Sequence, residues 1–532
     1  MNRVYKIFIA DAISADGLAP FRNDARFELN VQTGLKGEEL ARAIEPANAV
    51  IVRSSTRITR DALKYAKNLQ VIGRAGVGVD NIDIDAATET GVAVLNAPSG
   101  NTTSAAELTL ALLLALVRRV PAADRSMRAG EWDRKSFNGT ELYGKTLGLI
   151  GAGRIGSEVA RRARAFGMRV IAYDPYLTAE RAAAHEMEVG TLEDVLRRAD
   201  VITLHVPLTD TTANLIDDPQ FAIMKAGVVI VNAARGGVVN ERALYRALSE
   251  NRIAGAALDV FESEPLPAGH PLRALPNVVL TPHLGAATAE AQHNVAIEIA
   301  EAVRAALVDG DLSRAVNAPA IGGEQMRKLR PLLALAERLG KLVVALSDGA
   351  PEQLEIRYGG ALEDAARPLT SAALIGVLAE VVGYRAVNFV NAIHLAEQRG
   401  IRVEQSRVST HRDYSESLEL RLSTPLQQKL VAGALLSEQH ARVVRIDGFH
   451  VDVQPRGSIV VLRNRDVPGV IGRVGTILGG AQINIGEYHQ ARLEAGGEAL
   501  AAITVDGRVD ARVLDELRAL PEVIDIRQVK LD

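Results

Sequence analysis

Cysteine is absent from the 532 residues, which excludes disulfides, thiolate nucleophiles and thiolate metal sites and fits a reducing cytosol. Membrane-length apolar runs are missing too: the longest, Leu110 to Val117, falls far short of the roughly 20 residues a span needs. The opening stretch MNRVYKIFIADAIS reaches Asp11 too early for a signal peptide, so the expectation is a cytoplasmic protein. A formal net charge of −4 gives no overall attraction to nucleic acid or anionic lipid, which leaves small anions as partners. The ten histidines show no metal-ligand spacing, a Gly-x-Ser-x-Gly nucleophile turn is lacking, and there is no short-period repeat or low-complexity tract. What remains is a chain that must build several cores, roughly three or four at the usual domain size.

From Val4 to about Pro98, short β-branched runs (YKIFIA, ANAVIVRSS, LQVIGRAG, VAVLN) alternate with helical stretches, the pattern of parallel βαβ units. Thr103 to Arg119 is apolar nearly all round, which predicts a helix buried between layers. A second alternating series follows, with five strands predicted at 145–151, 168–174, 200–206, 227–234 and 253–260. A helix is expected from Thr288 to Leu307, and NAPAIGGE, 317–324, reads as a linker. Beyond it, residues 331 to 453 mix helices (332–346, 374–382, 388–398) with the strands LEIRY, LELRL and ARVVRIDGFHVDV. From Gly457 the order strand, helix, strand, strand, helix, strand describes a small two-layer module. The fold class is therefore α/β: two domains with doubly wound parallel sheets, then two smaller α+β domains, the last of them βαββαβ.

The clearest chemistry lies in GLIGAGRIG, where Gly151, Gly153 and Gly156 stand between a predicted strand and a predicted helix. The first glycine permits the tight turn, the second lets backbone approach a pyrophosphate, and the third lets helix pack on strand. The next strand ends at Asp174, eighteen residues past Gly156, where an acid would accept from both ribose hydroxyls and repel a 2′-phosphate. NAD is thereby favoured over NADP.

Three further segments lie where strands of the same sheet should end: NAARGGVV with Arg235, LDVFESEPLP with Glu264, and VVLTPHLGAAT with His283. Ligands of doubly wound sheets bind outside the carboxyl ends of strands, so the three can converge. Singly, each is as readily a surface or loop residue. Together they supply what alcohol oxidation by hydride transfer requires: a base for the hydroxyl proton, a cation for the substrate, and a carboxylate that raises and orients the base.

With VGVDNID (77–83), NAPSGNTTSAAEL (96–108), GLIGAGRIG, NAARGGVVNE, ALDVFESEP and TPHLGAAT in this order, the chain resembles the D-isomer-specific 2-hydroxyacid dehydrogenases along essentially its whole length. Its tail resembles that of the family's long branch. The resemblance implies a discontinuous substrate domain (1–98 and 287–317), a Rossmann NAD-binding domain (99–286), an allosteric-substrate-binding-like domain (318–455) and an ACT domain (456–532). It implies NAD-dependent oxidation of 3-phospho-D-glycerate to 3-phosphohydroxypyruvate, the first step of phosphorylated L-serine synthesis. Arg235 would take the substrate carboxylate and carbonyl, Glu264 would partner the base, and His283 would carry the proton. For the cofactor it implies Gly151, Gly153, Arg154, Ile155 and Gly156 at the pyrophosphate and Asp174 at the ribose. His205, Val206 and Pro207 would border the cofactor, Ala233, Ala234 and Asp259 would lie near the nicotinamide, and Gly285 and Ala286 beside the histidine. Val77 and Val206 stand where the family often has threonine, which leaves backbone contacts there.

A phosphorylated three-carbon acid needs a second cation site. Arg53 with Ser54 and Arg74 with Gly76 follow apolar runs, and arginine's fork suits phosphate. Arg134 resembles a position that reaches into a neighbouring subunit's cleft, and a homotetramer is implied. Asp466 and Asn484 match positions that hold L-serine as effector, unless this module serves only to join subunits. Two rivals stand beside this reading. A glyoxylate or hydroxypyruvate reductase would keep Arg235, Glu264 and His283 but needs neither phosphate arginines nor a two-domain tail. A dinucleotide-sensing corepressor would bind NADH to recruit partners.

Overall fold

Parallel strands buried on both faces read as short β-branched runs, and such runs build the first two sheets. In the computed structural model, residues 4–360, 365–384, 386–408, 414, 416–437 and 440–532 are described. The first sheet has five parallel strands in the spatial order Phe27–Val31, Tyr5–Ile9, Ala49–Val52, Val71–Arg74, Ala93–Asn96. One of its faces is covered by the long helix Ala289–Asp309, through Val295, Ile299, Val303 and Leu307. The chain thus returns to its own beginning, and the Val316 amide donates to the Val94 carbonyl at 2.9 Å.

The second sheet is parallel throughout, ordered Val278–Leu280, Gly255–Leu258, Val229–Asn232, Val201–Leu204, Thr146–Ile150, Arg169–Tyr173, Glu188–Val189. It therefore has seven strands where the sequence predicted five. The two additions are edge strands of three and two residues: Val278–Leu280 is the strand end that VVLTPHLGAAT implied, and Glu188–Val189 is too short to show a hydrophobic period. The apolar helix Thr102–Val117 lies against this sheet with the helix Arg154–Ala165, but it is not enclosed between layers as its composition predicted: Ala111 is exposed and Leu114, Leu116 and Val117 are only half-buried.

The third sheet is mixed, ordered Arg402–Val408, Gln353–Gly359, Glu416–Ser423, Gln428–Ser437, His440–Ile446, Phe449–Val453. Two expectations are corrected here. ARVVRIDGFHVDV is a hairpin whose strands, His440–Ile446 and Phe449–Val453, turn at Asp447, which has φ +48°. The segment read as a linker already belongs to structure: a helix runs from Gly323 to Ala345 with Pro331 inside it, carried past the proline by burial of Leu329, Leu332 and Leu333. Asn317 is likewise docked, its Nδ2 donating to Thr88 Oγ1 and the Val92 carbonyl, both at 3.0 Å. The fourth sheet is antiparallel, Ile485–Arg492, Glu498–Val505, Ser458–Arg465, Val523–Lys530, with two helices on one face, as the βαββαβ pattern requires. Among the described residues no helix is long and apolar enough to cross a membrane.

Candidate active site

The order of the second sheet reverses between Thr146–Ile150 and Val201–Leu204, which opens a crevice at their carboxyl ends. Gly151 turns there with φ +95°, and a Cβ on it would lie 2.7 Å from the His205 carbonyl. At Gly156 a Cβ would meet the Gly151 carbonyl at 2.1 Å, whereas at Gly153 it would meet nothing within 4 Å. Two glycines are thus required by packing and the third leaves open room beside the first turn of the helix Arg154–Ala165, whose amides have no intrahelical acceptor. Asp174 braces the loop, accepting from the Ala152 amide and the Tyr176 amide, each at 2.8 Å. Its carboxylate retains lone pairs for two hydroxyls. An open glycine cradle, a helix start and an adjoining acid fit a dinucleotide. His205 bonds Thr203 Oγ1 through Nε2 at 2.9 Å, and burial pushes its pKa down to about 4, so it borders the crevice as a neutral ring.

His283 and Glu264 meet as their chemistry suggested. His283 Nδ1 lies 2.7 Å from Glu264 Oε2, and Glu264 Oε1 accepts from the Phe261 amide at 3.0 Å. The bond from Glu264 raises the histidine pKa, and partial burial with Arg235 nearby opposes this without reversing it. Burial lifts the Glu264 pKa, but bonds from His283 and the Phe261 amide bring it below the ordinary carboxylate value. A carboxylate partner makes Nδ1 the protonated nitrogen and leaves Nε2 as acceptor. His283 has φ +57°, a left-handed conformation that costs a non-glycine residue about 1 kcal/mol or more. Asp259, fully buried, holds it: its carboxylate accepts from Thr281 Oγ1 at 2.6 Å and from the amides of Leu284 at 2.7 Å and Gly285 at 2.9 Å. Its carbonyl accepts from the His283 amide at 2.9 Å.

Arg235 leaves the strand Val229–Asn232 through a turn closed by Asn232, whose Nδ2 donates to the Arg235 carbonyl at 2.9 Å and whose Oδ1 accepts from the Ala234 amide at 3.1 Å. The side chain crosses to the other parallel domain, where Nε donates to Asp80 Oδ2 at 3.1 Å. On that side Arg74 ends its strand with the guanidinium folded over Gly76, where a Cβ would sit 1.5 Å from Nη1. Burial, then repulsion from Arg235, pushes the Arg74 pKa down to about 10. Arg53 stands on the neighbouring strand end, its amide donating to Asp11 Oδ2 at 2.6 Å. The carboxyl ends of the two parallel sheets therefore face one another across a cleft with arginines on both walls.

Of the other predicted residues, Arg154, Ser54 and Pro207 are exposed, Ile155, Val206, Ala233, Ala234 and Ala286 are half-buried, and Gly285 is buried. Arg134 lies on an exposed segment. Asp466 and Asn484 are not brought together. Asp466 follows Arg465, paired with Glu498, and Asn484 precedes Ile485, paired with Val505, so they sit at opposite ends of one strand, roughly 20 Å apart at its rise per residue. Each has a partner in its own chain: Asp466 takes Arg492 at 3.3 Å, and Asn484 donates to Asp506 at 2.9 Å.

Sequence reasoning missed Asp80, Asp11 and a clamp around the Glu264 loop. In that clamp the Glu241 and Glu262 amides bond each other's carboxylates at 2.9 and 2.7 Å, and His270 Nε2 lies 3.1 Å from Glu241 Oε2. For Asp11 the signal was an acid just past an apolar strand; for Asp80 and the clamp there was none.

Residues 110–285 match the family described as "D-isomer specific 2-hydroxyacid dehydrogenase, NAD binding domain", 328–447 match "D-3-phosphoglycerate dehydrogenase intervening domain", and 458–522 match "ACT domain". The D-3-phosphoglycerate dehydrogenase of Methanocaldococcus jannaschii is 41% identical over 527 residues, 99% of this chain and all of that one. Its namesake in Bacillus subtilis is 39% identical over 529 residues, with 99% and 100% covered. A solved NAD-dependent formate dehydrogenase from Staphylococcus aureus, in complex with NAD, is 30% identical with a TM-score of 0.51, covering 57% of this chain and 96% of that one.

Proposed function

From the premise that the chain belongs to the D-3-phosphoglycerate dehydrogenase family, we propose that it oxidises 3-phospho-D-glycerate to 3-phosphohydroxypyruvate with His283, Glu264 and Arg235 as its catalytic groups. NAD, when bound, supplies the hydride acceptor. His283 Nε2 takes the proton of the C2 hydroxyl as the C2 hydrogen departs with its electron pair and the carbonyl forms. Glu264 stabilises the imidazolium, and returns the ring to the same tautomer when the proton leaves. Arg235 holds the C1 carboxylate and the oxygen that becomes the carbonyl, while Arg53 and Arg74 receive the phosphate with Ser54 and Gly76 beside them. The pyrophosphate is assigned to the loop Gly151–Gly156 with Arg154 and Ile155, the ribose to Asp174. The nicotinamide end is assigned to Ala233, Ala234, Asp259, Gly285 and Ala286, with His205, Val206 and Pro207 along the edge.

One observation carries the reading: the 2.7 Å contact between His283 Nδ1 and Glu264 Oε2 on a cleft that Arg235 also enters. Arg53 and Arg74 on the opposite wall favour a phosphorylated acid over glyoxylate. The test is a panel of keto acids with NADH. The expected kcat/KM for 3-phosphohydroxypyruvate exceeds those for hydroxypyruvate and glyoxylate by about a hundredfold, the scale of a charge-assisted phosphate contact. Equal use of all three would favour the reductase instead, and no turnover at all the corepressor.

The remaining assignments are a substrate domain of 1–98 with 287–317, a cofactor domain of 99–286, an allosteric-substrate-binding-like domain of 318–455, an ACT domain of 456–532, a homotetramer, and a cytosolic location that the cysteine-free composition suits. L-serine is assigned as effector. The wide separation of Asp466 and Asn484 within one chain supports a site shared by two copies, and Arg134 is assigned to a neighbour's cleft. Calorimetry with L-serine tests this: heat of binding that vanishes in Asn484→Ala is expected, and a silent wild type would leave the ACT domain as an assembly element.

A further inference from the structure

The loop Gly76–Asn81 carries two guanidinium groups side by side. Arg74, from the strand before it, lies over Gly76, and Arg235, from the other domain, lies over Gly78, where a Cβ would sit 1.8 Å from Nη2 and 2.7 Å from Asp80 Oδ2. A methyl group at either glycine would push a guanidinium off the loop. The loop is itself pinned. Asn96 Nδ2 donates to the Val77 carbonyl at 2.7 Å, the Ala97 amide to the Gly76 carbonyl at 2.9 Å, and Asn81 Nδ2 to the carbonyls of Arg53 and Thr56 at 2.7 and 2.6 Å. Asp80 therefore projects from a fixed lip, next to the asparagine that fixes the backbone of Arg53.

We propose that Asp80 is a positioning residue for substrate recognition: reaching across the cleft, it holds Arg235 by Nε against Gly78, and so presents the Nη1 and Nη2 edge to the substrate carboxylate. This rests on the assignment of Arg235 to that carboxylate. The Nε bond leaves both terminal nitrogens with hydrogens to donate, even with Nη1 also donating to the Ala234 carbonyl at 2.6 Å. An unheld arginine surrenders side-chain entropy when it grips a ligand; Asp80 moves that cost from binding to folding. It also sets a negative charge beside the two guanidinium groups: burial and Arg235 depress the Arg74 pKa, and Asp80 opposes them. Because the loop sets both arginines, it also sets the spacing between the groups that receive the two charged ends of a three-carbon acid.

The opposite role is a competitor that occupies Arg235 until substrate displaces it, and the two differ in sign. Asp80→Asn is expected to raise both the Kd of 3-phosphoglycerate, read by calorimetry, and its KM by about three- to tenfold. The figure is kept small because Asp80 is 64% exposed. kcat, NAD affinity and the thermal midpoint should stay within about twofold or a degree or two of wild type. Arg235→Gln should weaken acid binding by itself, and in that background Asp80→Asn should add nothing. Unchanged or tighter acid binding in Asp80→Asn overturns the inference, as does an equal loss in both backgrounds, which would make Asp80 a diffuse charge rather than a holder of Arg235. If Arg235→Gln leaves acid binding intact, it is the assignment of Arg235 that fails.

Discussion

The two halves of the chain join their domains by different means. In the catalytic half each parallel sheet keeps its own apolar layers: the first has Phe8 and Ile72 on one face and Ile51 with the helix Ala289–Asp309 on the other, and the second has Ile150, Ile202 and Leu149 with the helices around it. Across the cleft at the carboxyl ends, Arg235 pairs with Asp80. In the tail a single core crosses the domain boundary. Leu335, Leu339 and Leu342 of the helix Gly323–Ala345 share it with Leu420 and Val431 of the third sheet and with Ile459, Val461, Leu500, Ala502 and Val529 of the fourth. Lys341 seals the joint, buried, its Nζ donating to the Leu531 carbonyl at 3.2 Å and lying 2.9 Å from Glu337. An interface of ion pairs opens at little cost, whereas separating a continuous core exposes apolar area at about 25 cal/mol per Å². On this contrast the catalytic half is expected to hinge and the tail to behave as one body.

The largest effect expected is on that shared core. Ile459, fully buried on the ACT side, loses its packing in Ile459→Ala at a cost of about 2–5 kcal/mol. Hydrogen exchange should show amides of both the helix Gly323–Ala345 and the strand Glu498–Val505 losing protection together, with the catalytic half unaffected. If only amides beyond residue 457 opened, the tail would be two bodies and the contrast would be broken.

On the hinge side the expected change is kinetic. His283 is about half exposed, so His283→Ala removes little buried area, and stability should be nearly unaltered. Turnover should fall by about a hundredfold or more, as it does on losing a general base. A wild-type kcat would remove His283 from the chemistry; a collapse of stability would show that the cleft is load-sharing core after all.

What the sequence made legible follows the same division. The glycine loop, Asp174 and the three strand-end residues could be placed because parallel-sheet topology sends every strand end to one crevice, and the structure brings His283 onto Glu264 as that rule implies. The Arg235–Asp80 bond spans 155 positions between domains whose mutual orientation no local pattern encodes. In the tail, the strand Arg402–Val408 was missed because its residues are almost all exposed at a sheet edge, leaving no apolar alternation to detect. Gln428–Ser437 was missed through its small, glycine-containing centre. The hairpin at Asp447-Gly448 did carry its signal, since Asp-Gly between alternating runs marks a tight turn. The shared core was hidden for a different reason: an alternating strand declares that one face is apolar, not which neighbour covers it.

The smallest effect sharpens the cleft side of the contrast. The bond from Glu264 is the main cause of the raised His283 pKa, and partial burial and Arg235 pull the other way. Glu264→Gln keeps the shape and an acceptor oxygen but removes the charge, so the histidine pKa should fall. Oxidation of 3-phosphoglycerate needs the neutral ring, and its kcat/KM rises as pH climbs through that pKa; in the variant the rise should begin at lower pH. Reduction of 3-phosphohydroxypyruvate needs the imidazolium, so at neutral pH the variant should lose activity by up to about tenfold and regain part of it on acidification. The two directions must move in concert, because one proton on Nε2 governs both. A pH profile of oxidation that keeps its wild-type midpoint would mean that Glu264 only orients the ring, and that the charge felt by His283 comes from another carboxylate, Asp259, which also raises its pKa.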